Sequence, residues 1–291
     1  MTNLRDLVAE ELELPVDPRV REVATAIAAR HGAASRAVLF YGSCLREQKL
    51  DGLMLDFYLI VSDYRTAYAK RWLAVANRLI PPNVFYFEHD GLVAKYAVLS
   101  EADFAHECSP AAWTISTAAR FAQPSRLVWS ADQAASNRMI EIVSEAAPTL
   151  LGWTLPLVDR RDLPALWKRA FKQTFASELR AENLGRSAAI VDSDPARYDR
   201  FGATALCGIE TARSRRNALR WWKRKQRHGK LYSLARLAKA SMTFAGGADY
   251  IAWKINRHAG SQIALKPWQR RHPLLAGIGL LPRLLRSGAI R

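Results

Sequence analysis

The chain has 291 residues, of which 49% are hydrophobic and 24% charged, so it can build a packed core in two modest domains or in one domain with an elaborate tail. Cys44, Cys108 and Cys207 are odd in number and far apart, which excludes a disulfide framework and a cysteine metal cluster. The net charge of +16 is uneven: residues 211–291 hold 19 Lys and Arg against one acid, Asp249, while residues 1–210 hold 24 bases and 26 acids. The whole basic excess lies in the last quarter, which implies a polyanionic partner there, nucleic acid or an anionic bilayer.

The acidic start, MTNLRDLVAEELELP, is unlike a secretory signal or an Arg-rich transit peptide. No apolar run approaches the roughly 20 residues that span a bilayer; Leu274–Leu281 is far too short. The expected location is cytoplasmic, or peripheral on the inner face of a membrane.

In chain order, Val20, Val23 and Ile27 share one face of a helix predicted over 19–32 and ended by Gly32. Ala37–Tyr41 reads as a short buried strand that stops at Gly42-Ser43, and a polar loop from Arg46 to Gly52 follows. A second strand, Leu53–Val61, is almost wholly apolar except for Asp56. A helix over Tyr68–Leu79 leads to Pro81-Pro82, then strands Val84–Glu88 and Leu92–Leu99 meet at Asp90-Gly91, a hairpin-type turn signal. From about Pro124 to Gln226 the reading is mostly helical, with Trp167–Glu182 the clearest amphipathic stretch and Asp192–Pro195 a loop. The expected class is α/β: a first α/β domain at 1–125, a mostly helical second domain at 126–226, and a basic amphipathic tail at 227–291.

Chemistry concentrates at Phe40-Tyr41-Gly42-Ser43 and, 13 residues after Ser43, Asp56. A Gly-Ser turn at a strand end lets backbone N–H groups approach a triphosphate with no Cβ in the way. Carboxylates on the next strand then face that turn and bind the Mg²⁺ that neutralises the phosphates. Gly42-Ser43 alone is an ordinary turn. A lone carboxylate inside Leu55-Asp56-Phe57 must be paired, hydrogen-bonded or metal-bound, and the combination points to a nucleotidyltransferase of the polymerase-β type. Such sites usually carry Asp-x-Asp; here Met54 and Tyr58 flank Asp56 at that spacing, leaving Asp51, Asp63, Glu88 and Asp90 as candidates for a second metal ligand.

Five motifs occur in one order: Tyr41-Gly42-Ser43, Met54–Val61, Pro82–Tyr86 with Asp90-Gly91, Lys95–Ser100, and Trp113 followed by Ala118–Pro124. Over residues 36–126 this resembles the mitochondrial-type, peripheral phosphatidate cytidylyltransferases (CDP-diacylglycerol synthases), with a weaker echo at Lys239–Gly246. Cys44, Ala97 and Ala119 stand where that family has Gly, Gln123 where it has Lys, and the linker around Trp113 is a residue shorter. The resemblance implies transfer of CMP from CTP to phosphatidic acid with Mg²⁺ as cofactor. Tyr41, Gly42 and Ser43 would bind nucleotide, Asp56 and Asp90 would hold metal, and Asp56, Lys95 and Arg120 would be catalytic. Chemistry permits so few acids: a phosphate monoester has a second pKa of about 6 and is already an anionic nucleophile. The barrier is then repulsion between polyanions, which cations relieve.

The six histidines show no metal spacing. Cys44 beside Ser43 has no base nearby in sequence, so a turn residue rather than a nucleophile is expected. Trp221-Trp222, between Arg220 and Lys223, could stack on bases, sit at lipid headgroups or pack in the core. Arg213 to Lys230 holds nine bases and no acid, and Leu274, Ile278, Leu281 and Leu285 form one helical face among arginines. That pattern suits an anionic membrane surface, and a nucleic-acid partner is not expected because it has no use for the leucines. Two rival readings remain: a nucleotidyltransferase acting on RNA or another acceptor, and a catalytically idle membrane- or nucleic-acid-binding adaptor.

Overall fold

Alternation along two central strands decides the architecture. In the computed structural model, which describes residues 3–47, 50, 52–158, 162–178, 186–207, 209 and 213–243, strands β1 (Ser35–Tyr41) and β2 (Met54–Val61) bury both faces. Val38, Phe40, Leu55, Phe57, Leu59 and Val61 point into one core, and Ala37, Leu39, Tyr58 and Ile60 into another. A strand with two buried faces reads as a continuous apolar run, which is why Asp56 stands out in the sequence.

The first core lies under α2 (Pro18–Ala29), capped by Asp17, together with α4 (Tyr64–Ala67) and α5 (Arg71–Leu79). The second is covered by α1 (Leu4–Glu13), α6 (Glu101–Cys108), α7 (Ser116–Phe121), α8 (Gln133–Ser144), α9 (Ala146–Thr154), α10 (Leu163–Phe175), α11 (Arg186–Asp192) and α12 (Pro195–Cys207). Between the layers runs one sheet of five strands, order β3-β4-β2-β1-β5, with β3 Asn83–His89, β4 Leu92–Ser100 and β5 Ser125–Ser130. Only β2 and β4 are parallel; the other neighbours are antiparallel.

The expected α/β order is present, with four differences. The helix expected over Tyr68–Leu79 starts only at Arg71, as α5, with the separate turn α4 before it, because Tyr68 is extended and turns its ring into the core, 5.8 Å from His31 and 6.0 Å from Phe85. The polar loop after Gly42-Ser43 is helical at its start, as α3 (Ser43–Glu47). Ser125–Ser130, in the segment read as helical, is a sheet strand paired with β1, so the sheet extends past residue 125; propensity missed it because the strand has only six residues, half of them polar. The first helix, α1, was not foreseen; Asn3 and Asp6 close a capping box at its start.

Arg197 on α12 locks α1 to the helical layer. Its guanidinium donates to both Glu11 oxygens, Nη2 at 2.9 Å, and Nη1 donates to the carbonyl of Ala122 at 3.1 Å. The last described helix, α13 (Arg215–Thr243), crosses position 226 without a break. Trp221 stacks on Trp153 with ring centres 4.8 Å apart, and Trp222 is buried and donates to the Trp153 carbonyl at 3.2 Å. Both tryptophans are thus core residues, neither a base platform nor a headgroup anchor. Gly229 lets α13 cross against the backbone of Ser177, where a Cβ would collide with its carbonyl oxygen. Farther along, Arg236 Nε donates to Pro81 O at 2.7 Å and Lys239 Nζ to Pro82 O at 2.8 Å. Burial, with Arg236 adding to it, pushes the Lys239 amine down to about 7. Among the described residues no helix is long and apolar enough to cross a membrane. The leucine face 274–285 and most of the Lys239–Gly246 echo lie outside the described residues.

Removing Arg197 leaves Glu11 buried without its partner, a change that typically costs about 3–5 kcal/mol. Arg197→Ala is therefore expected to lower the chemical-denaturation midpoint strongly, and a midpoint equal to that of the parent protein would show that the pair does not hold α1.

Candidate active site

Strand register places four side chains in a row at one end of the sheet. Tyr41 on β1 is opposite Asp56 on β2, Asp56 is opposite Lys95 on β4, and Lys95 is opposite Tyr86 on β3. Side chains directly opposite share a face, and this face is the one that buries Leu39, Tyr58 and Ala97 farther in. The parallel β2–β4 pairing brings Asp56 and Lys95 together across 39 positions of sequence. Lys95 Nζ lies 2.9 Å from Asp56 Oδ1, with 29% and 18% of the two side chains exposed. The lone strand carboxylate is thus satisfied by a partly desolvated ion pair.

Gly42 closes this site from the β1 side. Its φ of +99° is a left-handed conformation that side chains disfavour, and a Cβ there would sit 2.9 Å from Asp56 Oδ2. Gly42 is required twice over, for its backbone angle and for the space it cedes to the carboxylate. Ser43 opens α3, and Cys44 is buried with its thiol donating to the Met54 carbonyl at 3.4 Å. Cys44 therefore tucks the turn against β2 and is not placed as a nucleophile.

Arg120 reaches the same end of the sheet from α7. Phe121 packs on Tyr58 and Tyr41 with ring centres 5.2 and 5.9 Å apart, which seats α7 over the strands. Arg120 Nη1 donates to Ser116 O at 2.7 Å and lies 3.3 Å from Glu178 Oε1. Burial opposes its charge, but Glu178, then Tyr58, Tyr41 and Asp56, together raise its pKa, so the guanidinium stays cationic. It is a half-buried cation over the strand ends, not a surface helix charge.

Asp90 is not brought to this cluster. It occupies the β3–β4 turn with φ of 47°, is 79% exposed on its side chain, and lies 3.4 Å from His89 Nε2. It lies in the turn before β4 begins at Leu92, which is itself three strand positions, roughly 10 Å at about 3.3 Å per residue, from Lys95. Asp63 is likewise occupied elsewhere, accepting from the backbone of Arg65 and Thr66 at the start of α4. Among the described residues no group of three His, Cys, Asp or Glu could hold a metal ion.

Two charged residues join the site that the sequence did not single out. Arg46, three positions after Ser43 on α3, donates from Nη1 to Gln123 Oε1 at 3.2 Å, and Gln123 is itself tied to Ala119 O at 2.8 Å. A guanidinium thus stands beside the position where the resembling family has Lys; helical spacing from Ser43 is the signal that could have found it. Glu178 follows α10 and carries no such signal.

No protein-family model matches the sequence, and no curated protein matches it. A solved structure, that of a nucleotidyltransferase-like protein from Exiguobacterium sibiricum 255-15, is similar at 9% identity and a TM-score of 0.29, covering 92% of each chain. A TM-score that low carries no assignment of fold family or activity.

Gly42→Ala should force the turn off its left-handed angle and push the new Cβ against Asp56. The expected destabilisation is about 1–3 kcal/mol, measured by chemical denaturation. Unchanged stability would show that the close approach of turn and carboxylate is incidental.

Proposed function

We propose that the chain is a nucleotidyltransferase that moves CMP from CTP to phosphatidic acid, giving CDP-diacylglycerol and pyrophosphate at a membrane surface. The observation that supports this most directly is the charge of the strand-end cluster: three cations, Lys95, Arg120 and Arg46, against two carboxylates, Asp56 and the Glu178 that pairs with Arg120. Such a surplus of positive charge suits a reaction between two polyanions.

In this reading a phosphate oxygen of phosphatidic acid attacks the α-phosphorus of CTP, the bond to the bridging oxygen breaks, and pyrophosphate leaves. The nucleophile needs no general base, since a phosphate monoester loses its second proton near pH 6. Lys95 and Arg120 neutralise the approaching phosphates, and the turn at Tyr41, Gly42 and Ser43 admits the triphosphate beside Asp56. A Mg²⁺ cofactor fits the donor set in its sparsest form, because that ion commonly takes one or two carboxylates and completes its shell with phosphate oxygens and water. Asp56 would hold it, and it would supply charge neutralisation on the triphosphate. Asp90 is too far along the hairpin to share it. The preference for CTP rests on the family resemblance, since nothing in the Gly42 turn distinguishes bases.

The basic residues of 227–291 are the proposed attachment to the anionic membrane that contains the lipid substrate. Electrostatic attraction of about 1 kcal/mol per Lys or Arg near such a surface suffices for reversible binding.

The test is pyrophosphate release with Mg²⁺ present. Release is expected from CTP only when phosphatidic acid is added, and Asp56→Asn should reduce kcat by at least about a hundredfold with the fold intact by circular dichroism. Equal turnover of ATP and CTP would move the reading to a transferase of broader nucleotide range. Release that depends on RNA instead of phosphatidic acid would replace the acceptor, and no release with any acceptor would leave a binding protein.

A further inference from the structure

Helix α5 turns its apolar face outward. Ala74 and Asn77 are buried against the protein, whereas Trp72, Val75 and Leu79, spaced 3 and 4, are 45%, 57% and 68% exposed. Arg71 and Arg78 are exposed along one flank of that stripe and Lys70 at its start, and the sequence from Tyr64 to Phe87 contains no Asp or Glu. The helix is held rigidly behind this face: Asn77 Nδ2 donates to Val98 O at 2.9 Å, Asn83 Nδ2 to Leu73 O at 3.0 Å, and Arg236 grips Pro81 just beyond its end.

We infer that the exposed face of α5 is a docking surface for an anionic lipid bilayer. A fixed helix with Trp, Val and Leu outward and cations on the flank matches a headgroup layer, where the indole and aliphatic groups enter the acyl boundary and the cations meet lipid phosphates. Charge separates this occupant from the two others at hand. Residues 244–291 carry eight Lys and Arg and one acid, so covering α5 with that segment would set like charge on like. A second copy related by two-fold symmetry would bring Arg71 and Arg78 against their equivalents. An anionic membrane satisfies both the apolar stripe and its flank. The use of this surface to present phosphatidic acid rests on the function proposed above; the surface itself does not.

The experiment uses the full chain and vesicles of phosphatidylcholine with or without about one-third phosphatidylglycerol. Two double variants are compared with the parent, Val75→Ser with Leu79→Ser and Arg71→Gln with Arg78→Gln; all four residues are exposed, and equal melting temperatures confirm folding. Each pair is expected to weaken sedimentation with anionic vesicles by about tenfold, the arginine pair chiefly at low salt. A polarity-sensitive dye on Leu79→Cys, in a Cys207→Ser background where Cys44 and Cys108 are buried, should shift to the blue on anionic vesicles and not on neutral ones. Unchanged sedimentation of both pairs overturns the proposal. So does a dye already shielded without vesicles, the sign of a covering segment, or one shielded as protein concentration rises, the sign of a second copy. Turnover of a short-chain, water-soluble phosphatidic acid separates this from the catalytic reading. Variants that lose vesicle binding and keep that turnover support the surface, whereas folded variants that lose both place α5 in the active site and overturn it. Vesicle binding that depends on α5 in a chain with no cytidylyl transfer supports the surface while removing the catalytic reading.

Discussion

The contact between Asp56 and Lys95 exists because β2 and β4 run parallel, and much of the remaining architecture serves that pairing. A parallel pair cannot be joined by a tight turn, so the chain leaves β2, forms α4 and α5 on one face, returns as the edge strand β3 and only then enters β4. The registry of that return sets Lys95 opposite Asp56; a slip of one residue would send Lys95 to the opposite face, into the core that holds Ala94 and Tyr96. Charge inside a two-sided apolar strand is tolerable because the amine lies 2.9 Å away and because the strand end keeps some access to water.

Around this pair the protein assembles cations from elements distant in sequence. Arg120 arrives on α7, whose Phe121 ring anchors it to Tyr41 and Tyr58, and Arg46 arrives on the short helix after the Gly42 turn. Glu178 balances Arg120 in part, which keeps the guanidinium charged in a site where burial works against it. The result is a cluster in which the cations Lys95, Arg120 and Arg46 outnumber the carboxylates Asp56 and Glu178. A site of this sign suits the transfer between polyanions proposed above.

The helical layer has a second role, which is to decide where the basic segments can act. Lys225 and Lys239 on α13 are consumed by backbone carbonyls of the body, and Trp221 and Trp222 by its core. What remains outward on that helix includes Arg215, Arg216, Arg220, Lys223, Arg224 and Arg227, on the solvent side of a rigid rod. Together with α5 this presents basic and apolar surface from the folded body itself.

Local chemistry made the two central strands, the hairpin at Asp90-Gly91, the Gly42-Ser43 stop and the isolation of Asp56 legible from the amino-acid order alone. Each is a short-range property: apolar runs between turn residues, a glycine where no Cβ is tolerated, a charge with no neighbours of its own kind. The basic excess of the last quarter was legible for the same reason, because it is a matter of counting. The short strand Ser125–Ser130 was not, since its pairing with β1 is supplied from residues 84 or more positions earlier, and neither was the break at Tyr68, which answers to His31 and Phe85. Distance also decided the site. Sequence proximity to a turn made Asp90 a candidate ligand, and the hairpin carries it to an exposed turn beyond the start of β4, away from the Asp56–Lys95 pair. Arg46 and Glu178, which composition could not distinguish from any other charged residue, are brought in because packing of α3 and of the chain after α10 places them there. Residue identity determined which chemistry the chain can offer; only the parallel registry of β2 and β4 and the seating of α7 decided which charges meet, because long-range pairing leaves no local trace.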